Sequence, residues 1–333
     1  MPVEVRPARA DELPTAIRII IASFAGRANE QLAADFLQLA KAHQSDLGGT
    51  WVATQNGQLV SAVLPVLSPG RTMLIFPPVH LPSQGHEHAT RQLIEHVCLQ
   101  AHQAGVHLVQ ALLDNEHDTL FSILQACSFK HLAELLYLQA PIPPGIHPPS
   151  LPPDCQWHTY SPQTHNLFAQ TILATYQNSL DCPGLNGLRH IDDIVAGHKA
   201  TGEFDPSLWF VLAERQTPLG VLLLSHVPAS DVIELVYLGV PYEHRGRGTS
   251  DLLMRQAAHV VSVSRYARLS LAVDAGNLPA LKLYWRHGLQ AIARKFALMR
   301  DLRVPVVTFG PAVEQWKQSA QGAPNSTSAP DPR

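Results

Sequence analysis

The chain repeats itself at an offset of 160 residues. Leu269-Ser-Leu-Ala-Val-Asp274 lies opposite Val109-Gln-Ala-Leu-Leu-Asp114 without gaps, and the segment ending Gly288-Leu289 lies opposite the one ending Ser128-Phe129. Each copy reads as strand, turn, helix, strand, so two copies of one α/β unit are expected. Upstream of each copy stands a helical segment of similar length, Thr90 to Gly105 and Ser250 to Tyr266, with apolar residues at helical spacing. Before those come paired strands. In the first half Thr50–Thr54 and Leu59–Leu67 flank Asn56-Gly57, a strong hairpin signal; in the second, Leu208–Glu214 and Leu219–His226 flank Thr217-Pro218, where a turn is expected. Helical stretches open each half, Glu12–Ala42 and Thr164–Thr201, the latter broken by Asp181-Cys-Pro-Gly.

The run Pro141 to Pro153 (PIPPGIHPPSLPP) is too dense in proline for a helix or a central strand and reads as a stiff linker. The expected division is therefore 1–140, a linker at 141–155 and a second domain at 156–303. A polar Pro/Ser/Ala-rich tail, disordered by composition, follows at 317–333. With 46% hydrophobic and 15% charged residues in 333, most of the chain has enough apolar surface to fold. A formal net charge of -3 without a Lys/Arg run gives no footprint for nucleic acid or an anionic membrane. The apolar run Ala16–Ala25 lacks a signal peptide's cationic lead and the length of a span, so neither export nor membrane insertion is expected. Four well-separated cysteines, Cys98, Cys127, Cys155 and Cys182, fit reduced thiols in a cytoplasmic protein.

The most informative stretch is Glu234 to Ser250, ELVYLGVPYEHRGRGTS, followed at once by a helix beginning DLLMRQAAHVV. A strand ends near Pro241, and a loop with Gly246 and Gly248 presents backbone amides at a helix N-terminus. Unpaired amides and the helix dipole favour an anion there, glycine lets a phosphate approach the main chain, and Arg245 and Arg247 add positive charge. On these grounds it is a pyrophosphate-binding loop; an ordinary glycine turn between strand and helix is the bland alternative. About 30 residues on stands Asn277-Leu-Pro-Ala280-Leu-Lys-Leu283-Tyr284-Trp-Arg-His-Gly288-Leu289.

Together, the R-G-x-G loop and the N-x-x-A-x-x-L-Y-x-x-x-G-[FL] segment resemble the signature of the GNAT acetyltransferase superfamily. The resemblance covers the second half and extends faintly to the first, so the chain resembles a tandem GNAT protein: α/β, two GNAT-like domains, each a mixed twisted sheet flanked by helices. It implies acetyl-CoA as acyl donor and a primary amine as acceptor, with direct attack and no covalent enzyme intermediate, so Cys182 is expected to be a loop cysteine. By the same resemblance, the backbone of Leu238, Gly239 and Val240 would bond the pantetheine arm as an added strand does. The segment Arg245, Gly246, Arg247, Gly248, Thr249 and Ser250 would cradle the pyrophosphate. Asn277 would contact the cofactor arm, and Tyr284 would protonate the departing thiolate as general acid, unless it is simply a helix tyrosine facing the core. Glu234, on the same strand, is the candidate base; a solvated strand-end carboxylate is the alternative.

Three positions depart from the family pattern: Pro241 comes one place early, Ser250 replaces a small residue, and Asp251 puts a negative charge beside the phosphate site. The first half departs further. Arg245–Ser250 correspond to Gly85-His-Glu-His-Ala-Thr90, Asn277 to His117 and Tyr284 to Leu124, so this half is expected to keep the fold without catalysing. Eighteen histidines, among them His86, His88 and His96, show no metal-ligand spacing, and no metal is expected. The acceptor is expected to meet the loop Tyr176–His190, with Asp181, Arg189, Asp192 and Asp193 as candidate contacts. The rival from another class is a non-catalytic acyl-CoA-binding protein, a scaffold or sensor.

Overall fold

The computed structural model describes residues 2–25, 49–78, 86–114 and 119–304. The tail at 317–333, Gly85, His117 and the part of the Glu12–Ala42 stretch beyond Ala25 lie outside these residues. Among the described residues twelve strands form one mixed sheet. In the first half these are β1 (Glu4–Pro7), β2 (Trp51–Gln55), β3 (Gln58–Ser68), β4 (Thr72–Phe76), β5 (Leu108–Leu113) and β6 (Lys130–Pro141). In the second they are β7 (Cys155–Thr159), β8 (Trp209–Glu214), β9 (Thr217–Val227), β10 (Val232–Gly239), β11 (Arg268–Asp274) and β12 (Gln290–Asp301). The helices are α1 (Leu13–Ala25), α2 (Glu87–Gln103), α3 (Thr119–Ala126), α4 (His165–Thr175), α5 (Ile191–Lys199), α6 (Thr249–Val263) and α7 (Leu278–Arg286). Residues 142–154 carry neither helix nor strand, as their prolines dictate.

The strand order is β1-β2-β3-β4-β5-β12-β6-β11-β10-β9-β8-β7. Replacing each strand by its repeat partner reverses this order onto itself, so the two units are related by a pseudo-twofold axis. The final strands are exchanged: β12 lies between β5 and β6, and β6 lies between β12 and β11. The register obeys the same symmetry. Leu136 lies opposite Arg294, and moving both by the repeat offset gives Glu134 opposite Phe296, which is also a pair. Arg294 Nη1 donates to Glu134 Oε1 at 3.2 Å, joining two residues that are 160 apart.

An exposed ion pair of that kind contributes about 0–1 kcal/mol, so it does not hold the halves together. The apolar side chains of the exchanged strands do. Phe296, Leu298 and Leu302 are buried in the first half's core with Leu93, Ile94, Val109 and Leu124, whereas Leu138 and Ala140 of the first half are buried in the second half's core with Leu253, Leu271 and Tyr284. Each buried leucine contributes about 1.5–3 kcal/mol to a core whose remaining walls come from the other half. On the opposite face, α1 packs through Ala16, Ile17 and Ile20, and α4 and α5 pack through Phe168, Ile172, Ile194 and Val195 against Trp209 and Val211.

Local chemistry accounts for the hairpins. Asn56 and Gly57 both take left-handed conformations (φ 51° and 75°) and close β2 onto β3 in two residues. The second hairpin turns at Arg215-Gln216 rather than at Thr217-Pro218: Glu214 pairs with Thr217, and Arg215 supplies the positive φ of 54°. Proline's fixed negative φ and threonine's β-branch bar both from that role. Pro218 instead sits inside β9, where the register shifts.

Because the cores are exchanged, Leu298→Ala and Leu138→Ala should each lower global stability by about 2–5 kcal/mol. Hydrogen exchange should place the largest loss of protection in the half opposite the mutated chain segment: α2 and β5 for Leu298, α6 and β11 for Leu138.

Candidate active site

Strands β10 and β11 run parallel but pair at only two positions, Ile233–Leu269 and Glu234–Ser270. Beyond them β10 stays on β9 through Gly239, with a register shift between Leu235 and Tyr237, and turns away from β11. The bulge bends the strand and increases its twist, so the two strands part. In the first half, β4 and β5 pair at four positions through Ile75–Ala111. The opened wedge is a cavity of about 300 Å³. One wall is the backbone of Leu235–Val240, the other is Ala272 and Val273, α7 closes it with Ala280, Leu283 and Tyr284, and the segment Asn178–Asp181 borders it. With no strand alongside, the β11-facing amides and carbonyls of β10 are available to an extended ligand.

The cleft leads to the glycine loop. Gly246 and Gly248 are left-handed (φ 75° and 85°), and Gly248 caps α6 with its carbonyl, accepting from Asp251 and Leu252 N–H at 3.1 and 3.2 Å. Among the described residues, the five backbone amides from Gly246 to Ser250 have no acceptor in the chain. Unpaired amides at the positive end of a helix form an anion site. Asp251 does not oppose it as a free charge, because its carboxylate is held by Arg255 at 2.8 Å and His287 at 2.9 Å.

The arginines do not act as the sequence suggests. Arg245 donates from Nε to Val240 O (3.1 Å), from Nη1 to Asn178 O (2.8 Å), and from Nη2 to Thr175 O (2.8 Å) and Gln177 O (2.9 Å). Its guanidinium thus satisfies the bare carbonyls at the end of α4 and ties the acceptor-side loop to the glycine loop, which leaves chiefly its backbone for an anion. Arg247 lies outside the lining of the cleft, whereas Arg286 and His244 contribute to it. Sequence reading missed Arg286, His244 and Thr175, because only tertiary contact brings them there, whereas Asn178 lies within the loop Tyr176–His190 that it named. One signal was present, a glycine at a strand end: a Cβ on Gly239 would lie 2.8 Å from Thr175, so glycine there lets α4 meet β10.

Tyr284 is 6% exposed and lines the cleft, and its hydroxyl has no partner among the described residues. Burial, and secondarily the charge of Asp181, raise its pKa, which keeps the phenol protonated at neutral pH. It is at once a core side chain and a cleft wall. Asn277 also lines the cleft but serves locally as the N-cap of α7, accepting from Ala280 N–H at 3.3 Å. Glu234 pairs with Ser225 and Ser270 in the sheet and lies outside the cleft lining; burial raises its pKa, and burial followed by the Glu234 charge raises that of Tyr137. Asp181 does line the cleft, with Asp274 beside it. The Cys182 thiol is pushed up to about 12 by burial, then by the nearby Asp181 and Asp274 carboxylates, and is unsuited to nucleophilic attack.

The other candidate acceptor contacts lie on α5 and its approach. Asp192 pairs with His165 and His190, both at 3.3 Å. Asp193 faces Arg71 of the first half at 3.9 Å, and a Cβ on Gly70 (φ 84°) would collide with the Asp193 carbonyl, so the β3–β4 turn seats directly on α5. Burial, and secondarily the charge of Arg189, bring the pKa of His198 down to about 4.

Residues 178–289 match the family model of the acetyltransferase (GNAT) family. No curated protein matches the chain in sequence. The fold is similar to that of a GCN5-related N-acetyltransferase from Sphaerobacter thermophilus (15% identity, TM-score 0.60, covering 91% of this chain and 97% of that one). It is also similar to a tandem GNAT protein from the clavulanic acid biosynthesis pathway (14% identity, TM-score 0.51, covering 92% and 100%). The parted strands and the glycine loop define an acyltransferase fold of the GNAT type. Residues 178–289 are a GNAT-family domain, which makes the protein an acyltransferase.

Gly239→Val should force α4 from β10, lowering the melting temperature by the equivalent of about 1–3 kcal/mol. Gly57→Ala, strained by positive φ but facing open space, should cost about 1 kcal/mol, as differential scanning calorimetry of the two would show.

Proposed function

We propose that the protein transfers an acetyl group from acetyl-CoA to a primary amine at a single site in its second half. The observation that carries this reading is the continuity of the cleft: strand backbone at Leu235–Val240 with no strand on its β11 side, five amides at Gly246–Ser250 without acceptors among the described residues at one end, and Tyr284 in the wall. The pantetheine amides would add to β10 as a partner strand, and the pyrophosphate would lie on the amides of the glycine loop. The thioester would then fall near Tyr284. The amine attacks the carbonyl carbon, the C–N bond forms, the C–S bond breaks, and the phenol protonates the leaving sulfur. A buried phenol that is neutral throughout the physiological range suits an acid rather than a base.

The first half is proposed to be a non-catalytic partner. Leu124 stands where the second half has Tyr284, and β4 and β5 remain paired where β10 and β11 part. Its role would be mechanical, since its β3–β4 turn buttresses α5, beside the proposed acceptor entrance. Among the described residues no helix is long and apolar enough to cross a membrane, and the four cysteines are unpaired. Free thiols support a reducing compartment such as the cytoplasm.

Calorimetric titration of acetyl-CoA should give one site per chain, and Gly248→Trp should abolish it by filling the space before the amides. Two sites would overturn the assignment to the second half alone. Tyr284→Phe should lower kcat by about 10²-fold or more while leaving acetyl-CoA affinity nearly unchanged. An unchanged kcat would instead show that the leaving sulfur takes its proton from another group.

A further inference from the structure

One carboxylate, that of Asp181, lines the cleft, and the geometry points to Asp181 as the group that takes the proton of the acceptor amine. This inference rests on the acetyl-transfer reading and goes beyond it by assigning the base. A carboxylate serves as base where it meets the amine directly or through one water. Asp181 lines the cleft, and Glu234 does not.

Asp181 is also held in position. The Asp274 N–H donates to its Oδ1 at 3.4 Å, while Oδ2 has no partner among the described residues. Asp274, 8% exposed, accepts in turn from Cys182 N–H at 3.1 Å and from Gly276 N–H at 2.8 Å. The end of β11 and the loop after α4 are thereby laced together on both sides of Asp181. Cys182 takes the left-handed conformation (φ 44°) unusual for a non-glycine residue, and this turns the chain at the cleft mouth. The result is an oriented carboxylate with one free oxygen.

Its electrostatic setting suits the task. The charged groups around it are Asp274 on β11 and, through their effects on its neighbours Cys182 and Tyr176, Arg189; Tyr284 on α7 feels its charge directly. Asp181 is exposed as a residue, yet protein crowds its carboxylate. That desolvation raises its pKa; the Asp274 N–H works the other way and the Asp274 carboxylate adds to the rise. A carboxyl moved upward is a better proton acceptor, and two adjacent acids attract an ammonium.

The step balances as follows. The acceptor ammonium passes one proton to Asp181 Oδ2, and the neutral nitrogen attacks the thioester. As the tetrahedral adduct collapses, Tyr284 protonates the leaving sulfur, and the second nitrogen proton restores the tyrosine. Asp181 then releases its proton to solvent at the cleft mouth, so each turnover yields amide, free CoA thiol and one proton.

The test uses the full chain, acetyl-CoA and a panel of primary amines, with CoA thiol release measured from pH 5 to 9. For Asp181→Asn, kcat/KM for the amine should fall by about 100-fold or more, with the Kd of acetyl-CoA within about twofold of the parent by calorimetry. The parent's rate should rise with pH as Asp181 ionises, and this acidic limb should vanish in Asp181→Asn and return in part in Asp181→Glu. Glu234→Gln should change the rate by less than about threefold. A parent-like rate and acidic limb in Asp181→Asn, or loss of the limb in Glu234→Gln instead, overturns the assignment. Turnover absent from the parent with every amine overturns the acetyl-transfer reading itself.

Discussion

The antiparallel ladder between β6 and β12 is the constraint on which the rest of the molecule depends. It lies on the pseudo-twofold axis, where Leu136–Arg294 and Glu134–Phe296 are the same contact seen from either side. Because each last strand serves the opposite core, neither half completes its own apolar layer. Leu298 fills the space around α2 and α3, and Leu138 fills the space beneath α6 and α7. The exchange also holds β11 from its far side: seven consecutive residues from Arg268 to Asp274 pair with Pro141 to Leu135 of β6. With β11 fixed there, the bulge in β10 can open a cleft instead of being absorbed by a shift of its neighbour.

Everything chemical follows from that opening. A strand that leaves its parallel neighbour exposes main-chain groups that must be satisfied by water or a ligand. The glycine loop repeats this logic at a helix end, where five amides lack acceptors among the described residues. Two buttresses keep the opening in shape. Arg245 binds three carbonyls at the end of α4 and one at the end of β10, and Asp274 binds the amides of Cys182 and Gly276. Both connect the loop after α4 to the cleft, and both use strong charge-assisted hydrogen bonds. The same contacts explain why Gly239 must be glycine, since α4 rests directly on it.

The repeat, the Asn56-Gly57 hairpin, the glycine loop and the buried Tyr284 were legible in the sequence, because each depends on local spacing or on a residue's intrinsic geometry. The turn at Arg215-Gln216 was not, although proline's fixed φ at Pro218 could have warned against placing it two residues later. Arg245 looked like a phosphate ligand because its charge was visible and its partners, 67 to 70 residues earlier in the chain, were not. Glu234 looked like a base because it shares a strand with the cleft backbone; whether a strand carboxylate reaches a cleft depends on where the neighbouring strand departs.

By itself the sequence determined that there are two related α/β units, that the second carries a glycine loop at a helix start, and that a tyrosine follows on the next helix. These are consequences of periodicity, glycine's access to positive φ and the bare amides of a helix end. Tertiary structure alone decided which strand completes which core, that Arg245 braces two loops, and that Asp181 stands at the cleft while Glu234 stands outside it. The reason is distance along the chain: Asp181 and Asp274 are 93 residues apart, and no local pattern encodes a contact that only the folding of two sheets and their helices brings together.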